Sequence, residues 1–154
     1  MSVRQLVQQQ YQRVADRNAA QDWEAPPPEG WLRTVRKSLG MSGAQLARRM
    51  GVTRARIAQA ETSEGEGGIT LKSMQATAEA MGCRFVYAVV PEGGRIEDVI
   101  LAQARRKATA LVHAASKHMA LESQVLPDES IAREIDRLKH QLARDMPADF
   151  WNEP

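Results

Sequence analysis

The feature of this chain that most constrains its fold is a pair of short helix patterns joined by a turn at Gly51. Ser42 and Thr53 each stand directly before one of the two patterns, where a hydroxyl side chain caps a helix. Gly51 tolerates the left-handed backbone conformation that lets the chain reverse between them. Small or apolar side chains stand where the two helices face each other: Leu46, Ala47, Val52 and Ile57. The stretch therefore predicts a helix-turn-helix unit.

Apolar residues at spacings of three and four predict helices along most of the chain. The predicted helices cover residues 2–18, 31–39, 43–50, 54–62, 71–81, 96–122 and 129–145. Residues 84–90, rich in β-branched and aromatic side chains, favour a strand. We therefore expect a mainly all-α fold, with an N-terminal helix before the helix-turn-helix unit and one short strand and two helices after it. The apolar faces of the N-terminal helix and the last two helices are expected to need burial.

Three consecutive prolines, Pro26 to Pro28, mark the clearest boundary because proline cannot continue a helix. The expected domains are an N-terminal helix in residues 1–24, a connector in 25–30, the helix-turn-helix domain with the strand in 31–91, and a helical region for dimerisation or partner binding in 92–154. Residues 63–68, which contain three glycines, are expected to form a flexible turn.

Charge is distributed unevenly along the chain. Residues 31–82 carry eight Lys/Arg and four Asp/Glu, whereas the remaining residues carry thirteen Lys/Arg and fifteen Asp/Glu. A basic segment inside a chain with a net charge of only +2 is typical of local contact with a polyanion. The helix-turn-helix region is therefore expected to contact nucleic acid.

The run from Leu46 to Thr53, with Ile57 four residues further on and Glu61 near the end of the same helix, resembles the Xre/Cro family of phage-type repressors. The resemblance implies a lambda-repressor-like fold and binding of double-stranded DNA. Because one helix-turn-helix reads only a half-site, we expect a homodimer on a palindromic operator, with half-sites about 34 Å apart.

Matching this sequence to that family position by position gives expected roles to residues on and around the second helix. Arg54, Ala55 and Gln59 would face base edges, where Arg pairs with guanine and Gln with adenine. Arg56 would face either bases or phosphate. Ser42 and Thr53 would contact phosphate. Lys72 is a further candidate for a phosphate contact, with a solvated helix surface as the open alternative.

The first helix of the pair is less clearly assigned. For Arg48 and Arg49, contact with DNA and a solvated helix surface both remain open. Gly43 departs from the family pattern, since many members place a polar residue there to brace the recognition helix. That support is expected to be missing or to come from another residue.

A wider resemblance covers most of the chain. Residues 31–42, 64–72, 83–91 and 104–108, and the ending near Phe150 and Trp151, are similar to the family called mobile mystery protein A. In that family a neighbouring gene typically encodes mobile mystery protein B, which has a Fic domain, and Fic enzymes commonly transfer AMP from ATP to a hydroxyl side chain. The resemblance implies a transcriptional repressor that autoregulates its operon and is the antitoxin of a Fic-type toxin.

Antitoxins of Fic enzymes often carry the pattern Ser/Thr-x-x-x-Glu-Gly/Asn on a helix, where the glutamate obstructs productive ATP binding. Thr62, Glu66 and Gly67 match these letters as candidate toxin-inhibitory residues. They fall in the glycine-rich stretch predicted to be a turn, so the requirement for a helix is expected to fail. A plain connecting turn is the alternative interpretation. A second match that begins at Ser130 is broken at Ile135.

The sequence gives little indication of a catalytic or metal-binding site. His113 and His118 are five residues apart, whereas a helical zinc pair has a spacing of four. We find no phosphate loop, nucleophile elbow or catalytic carboxylate pair, so we expect no enzyme, no metal and no cofactor. Cys83 is the only cysteine, and no apolar run approaches the ~18 residues of a membrane span. The expected location is the bacterial cytoplasm, on the nucleoid when bound to DNA, with no membrane partner.

Two other functions remain open at this level. The chain is alternatively a stand-alone regulator that responds to a small ligand, or an inhibitor or interaction protein whose helix-turn-helix does not bind DNA. A neighbouring Fic gene would favour the antitoxin over the stand-alone regulator. A salt-dependent DNA shift would separate both from the third function.

Overall fold

The computed structural model describes residues 1–19, 21–123 and 126–154, and regular structure in this part of the chain is helical. The helices are α1 (Val3–Ala15), α2 (Trp31–Ser38), α3 (Gly43–Met50), α4 (Arg54–Glu66), α5 (Leu71–Ala80), α6 (Ile96–Leu121) and α7 (Asp128–Asp145). A 3₁₀ turn, Asp16–Asn18, follows α1. The all-α class with a helix-turn-helix is therefore supported.

The strand predicted at residues 84–90 is wrong, because none of the described residues lies in a strand. A strand exists only where its backbone groups pair with those of a second strand. Phe85 instead packs against the core formed by α2 to α5, and its ring stacks on that of Tyr87 with a centroid distance of 5.7 Å. High β-propensity without a partner segment does not make a sheet.

The chain divides into two compact units. Asp22–Ala88 form one, which we call the helix-turn-helix unit, and Met1–Gln21 with Val89–Pro154 form the other, which we call the terminal unit. The core of the helix-turn-helix unit consists of apolar side chains that are almost fully buried: Leu32, Leu46, Ala47, Ile57, Met74 and Met81. Each large side chain in this set contributes roughly 1.5–3 kcal/mol by its burial.

The core of the terminal unit is built on α6. Ile100 and Ala104 pack against Phe150, which is only 1% exposed. The amide of Gln103, also buried, donates to the backbone oxygens of Phe150 at 2.8 Å and Asn152 at 3.2 Å. These contacts fix the end of the chain against α6.

α1 belongs to the terminal unit but buries none of its residues. The amide of Gln8 contacts Met146 Sδ at 3.3 Å, and the carboxylate of Asp16 accepts from the backbone N–H of Ile96 at 2.8 Å. The single chain therefore leaves uncovered the apolar face of this helix, which the sequence predicts to need burial. Polar side chains hold α1 in place.

α4 is longer than the sequence predicts. It continues through Ser63 and Gly65 to Glu66, and Gly67 ends it in a left-handed conformation with φ of 77°. The carboxylate of Glu64 accepts from the backbone N–H groups of Trp31 at 2.6 Å and Leu32 at 2.9 Å. The predicted turn at 63–68 is therefore mostly helix, because a contact with α2 holds its last turn in place and offsets the cost of a glycine there, about 1 kcal/mol.

Candidate nucleic-acid interface

The first helix of the motif starts from a complete capping box. Ser42 Oγ accepts from the backbone N–H of Gln45 at 3.1 Å, and the side chain of Gln45 accepts from the backbone N–H of Ser42 at 2.7 Å. Both end groups are thereby satisfied without a contact from elsewhere. Gly51 ends the helix in the left-handed conformation, with φ of 67°, as the sequence predicts.

The second helix, α4, begins one residue after its cap. Thr53 Oγ1 accepts from the backbone N–H of Arg56 at 3.2 Å. No acidic side chain stands in the first turn of α4. The N-terminal end of this helix therefore keeps the positive end of its dipole unneutralised, which favours an anion such as phosphate.

One side of α4 is buried and the opposite side is exposed. Ile57 and Glu61 point into the unit, 2% and 5% exposed. At about 100° per residue, Ala55 and Gln59 lie on the side opposite to Ile57, and both are exposed. Arg54 and Arg56, also exposed, flank them. The first two turns of α4 thus present the predicted base-facing side chains outward.

Glu61 fixes α4 to α2 by a buried ion cluster. Its carboxylate accepts from Arg36 Nε at 2.6 Å and from Arg33 Nε at 3.1 Å. Burial raises the pKa of Glu61, but the hydrogen bonds from Arg36 and Arg33 outweigh burial and leave the pKa below its ordinary value. The hydrogen bond to Glu61 likewise raises the pKa of Arg36. This contact keeps α4 from rotating about its axis, which positions its exposed side.

The basic residues of this unit fall into two groups. Some pair with other groups of the unit, and others are exposed without an ion pair among the described residues. Arg33 and Arg36 pair with Glu61, Lys37 pairs with Glu29, and Arg49 Nε donates to the backbone oxygen of Ala80 at 2.7 Å. Five others are exposed and form no ion pair with any residue that the structure describes: Arg48, Arg54, Arg56, Lys72 and Arg84. Four of these unpaired charges lie on α3, α4 and the start of α5, and Arg84 follows α5.

The seven predicted DNA-contacting residues are all exposed, and they come from three helix starts. The hydroxyl groups of Ser42 and Thr53 cap α3 and α4. Lys72 lies in the first turn of α5, which Thr70 caps. A Cβ at Gly43 would stand 3.9 Å from Arg54 Cγ, so the start of α3 adjoins the first residue of α4. Because Gly43 has no side chain, it cannot brace α4 at this contact.

The residues that match the Fic-antitoxin pattern lie in and beside the stretch 63–68, which the sequence predicts to be a turn and which is mostly helix. Thr62 and Glu66 are on α4 and Gly67 is its C-terminal cap, so the pattern is helical. All three are exposed. Glu66 is about 18 Å from the N-terminal end of the helix, since each residue adds 1.5 Å. The exposed acidic end of α4 is thus separate from its basic end.

Sequence reasoning missed Glu64, whose carboxylate caps α2, and the structural use of Arg49. A signal for Glu64 was present, because Gly30 precedes α2 and has no side chain to cap it. No comparable signal existed for Arg49, since its acceptor lies 31 residues away.

The described residues contain no cluster of His, Cys, Asp and Glu suited to hold a metal ion. Within the same residues, no helix combines the length and apolar character needed to cross a bilayer.

Residues 32–87 match the helix-turn-helix family, which takes in α2 to α5 and the segment that follows. This part of the chain is a helix-turn-helix domain of the Xre type, a class of DNA-binding transcription regulators that are typically not enzymes. Neither the curated proteins nor the solved structures include a significant match to the chain.

Proposed function

We propose that this protein is a sequence-specific transcriptional repressor that binds a palindromic operator as a homodimer. The observation that carries the proposal is the start of α4. Thr53 caps it, its first turn carries two exposed arginines and no carboxylate, and Glu61 locks it against α2. A helix end with these properties suits insertion into the major groove.

Within this proposal, Arg54 and Gln59 read base edges and Ala55 lets the helix approach closely. Arg56 contacts bases or phosphate. Ser42, Thr53 and Lys72 contact phosphate on either side through exposed positions at three helix starts. The N–H groups at the beginning of α3 and α4 add dipolar attraction for the backbone.

The test is a binding series on an operator selected from random DNA. Arg54→Ala and Gln59→Ala are each expected to weaken specific binding by about 1–3 kcal/mol and to relax the preference for one base. Lys72→Ala is expected to weaken binding to all sequences alike and to reduce the salt slope by about one charge.

Lys37→Ala is the matched control, because Lys37 pairs with Glu29 and lies on α2, outside the proposed interface. It is expected to leave specific binding within about 0.5 kcal/mol. If Arg54→Ala lowered specific and non-specific binding equally, Arg54 would be a phosphate contact. If no variant changed binding, the helix-turn-helix would not read DNA.

We further propose that the repressor is the antitoxin of a Fic-type toxin and autoregulates the operon that encodes both. What supports this is the resemblance to the mobile mystery protein A family. A second support is that Thr62 and Glu66 lie exposed in the last turns of a helix, the setting that the inhibitory pattern requires.

Where a neighbouring gene encodes a Fic protein, co-expression of the two proteins tests this role. Glu66→Ala is expected to release transfer of AMP by the Fic protein without preventing DNA binding. Glu79→Ala, an exposed carboxylate on α5, is the matched control and should leave inhibition intact. Inhibition that survives Glu66→Ala would move the inhibitory surface to the helical region of residues 92–154, which we propose for dimerisation and partner binding.

A second candidate, a regulator that responds to a small ligand, is favoured by one feature of the terminal unit. A polar groove of about 630 Å³ runs beside α1, and amide and guanidinium groups line it, among them Gln5, Gln12, Arg95 and Arg144. Its volume lies in the range of small-molecule sites. A thermal-shift screen with small anionic metabolites tests it, and a hit that changes operator affinity would favour this function.

A further inference from the structure

α1 turns its apolar side away from its own unit. Five apolar side chains share one side of the helix, because each lies three or four residues from another, and each is between 44% and 76% exposed: Val3, Leu6, Val7, Tyr11 and Val14. We call them the α1 stripe. No residue of α1 is buried. An amphipathic helix on a water-soluble core normally shows the reverse arrangement.

The polar side of α1 faces the unit instead. At about 100° per residue, Gln5 and Gln12 lie opposite to Val14 on the helix. Gln8 contacts Met146, and Asp16, just beyond the end of the helix, caps α6 at Ile96. The orientation of α1 is therefore fixed at two points by polar contacts, and both leave the α1 stripe uncovered.

The α1 stripe continues into an apolar groove. Tyr11 is one wall of a groove of about 430 Å³ whose other walls include Ile96, Val99 and Trp151. Trp151 is 56% exposed. A ridge, formed by the stripe, and a groove thus lie side by side on one face of the terminal unit.

The combined apolar surface is large for a chain that stands alone. The stripe and Trp151 together expose on the order of 600 Å², at the upper end of what monomers show and near the 800 Å² that each partner gives to a stable dimer. Neighbouring backbone and the walls of the groove supply the remainder.

We infer that this face binds the same face of a second copy across a two-fold axis, with the stripe of each copy in the groove of the other. Adjacent ridge and groove satisfy each other in a closed pair, as a two-fold interface requires. The polar side of α1 is rich in glutamine, whereas helices that lie on membranes carry Lys and Arg there. The inference deepens the proposed function by assigning the interface of its homodimer.

The first test is the molar mass in solution. The full chain is expected to be a dimer at micromolar concentration by light scattering, and Leu6→Glu is expected to weaken self-association by about a hundredfold or more. Because Leu6 is 50% exposed within the subunit, helix content by circular dichroism should not change.

Leu39→Glu is the matched control, since Leu39 is 50% exposed, as Leu6 is, but lies in the helix-turn-helix unit, outside the stripe and the groove. It should leave the dimer intact. A second measurement uses Val7→Cys in a Cys83→Ser background, which removes the exposed native thiol. Maleimide is expected to label Val7→Cys several-fold faster once Leu6→Glu is added.

A monomeric wild type, a dimer that survives Leu6→Glu, or equal labelling rates would each overturn the inference. So would dissociation by Leu39→Glu alone, or flotation of a monomeric wild type with vesicles of anionic phospholipid. DNA binding is measured separately. A dimer that fails to bind DNA would contradict the proposed function and leave this interface standing. A monomer that binds a half-site would overturn the interface and the homodimer but leave sequence-specific DNA binding by α4 standing.

Discussion

α1 and α4 are both 13 residues long, yet the chain uses them in opposite ways. α4 buries Ile57 and Glu61 and exposes polar residues at its start, whereas α1 buries nothing and exposes an apolar stripe. α4 packs against α2 and α3, which are close to it in sequence. The residue that Asp16 caps beside α1, Ile96, lies 80 positions away. Burial of an apolar face thus depends on the neighbours that the chain places against it.

The two units also differ in what supplements their apolar cores. The helix-turn-helix unit uses polar contacts between helices, from Glu61 to α2, from Glu64 to the start of α2 and from Arg49 to the end of α5. The terminal unit uses polar contacts to hold α1, and its core is centred on the buried ring of Phe150, with Gln103 holding the backbone beside it. Substitutions of these residues test this difference between the two units.

The largest effect is expected in the terminal unit. Phe150→Ala removes the ring against which Ile100 and Ala104 pack, and should lower the free energy of unfolding of this unit by about 3–5 kcal/mol. Amide hydrogen exchange in α6 measures it. Leu111→Ala, half-exposed on the same helix, should cost about 1 kcal/mol or less. A small effect at Phe150 would mean that the core collapses around the lost ring.

In the helix-turn-helix unit, Glu61→Ala leaves Arg36 and Arg33 without their buried acceptor. The expected loss is about 2–4 kcal/mol, below the usual upper value because Arg33 remains partly in water. Urea unfolding measures it, with the exposed Glu79→Ala as control. A loss like that of the control would show that water replaces the carboxylate, and that the polar cluster matters less here than the aromatic ring does in the other unit.

The same cluster predicts a dependence on pH. Since the pKa of Glu61 is lower in the folded protein, its stabilisation is fully present above the unfolded value, about 4.3, and is lost as the pH falls through the lowered folded value. The urea concentration at the unfolding midpoint, followed in α2 and α4, should fall as the pH is lowered from 7 to 3. Glu61→Gln should flatten that decline, and a decline of equal steepness in the variant would assign it to other carboxylates.

The smallest expected effect concerns the cap of α2. Glu64→Ala removes the acceptor for the N–H groups of Trp31 and Leu32 and should cost about 1 kcal/mol. Amide exchange at the start of α2 and in the last turn of α4 should accelerate together, because one contact orders both. Glu66→Ala, two residues further on and exposed, should change neither. Acceleration in α2 alone would mean that the last turn of α4 is helical without this contact.

Much of the fold follows from short-range patterns. The starts of α3, α4 and α5 are where Ser42, Thr53 and Thr70 indicate them, because a cap and its N–H partner are three residues apart. The exposure of Arg54 and Gln59 likewise follows from the helical period and from the burial of Ile57. The pairing of Arg33 and Arg36 with Glu61 could not be predicted, because the sequence does not show which basic residues form ion pairs within the protein.

By itself, the sequence determined the helices, the turn at Gly51 and the side of α4 that faces solvent, because caps, glycine conformation and periodicity act within a few residues. Tertiary structure decided the rest. Residues 84–90 form no strand because no described segment pairs with them, and α4 runs on to Glu66 because Glu64 accepts from the N-terminus of α2. α1 exposes its stripe because Gln8 and Asp16 make its polar contacts with the unit. Each outcome depends on a partner distant in sequence, and the entropy of bringing distant segments together is offset only when the whole unit folds.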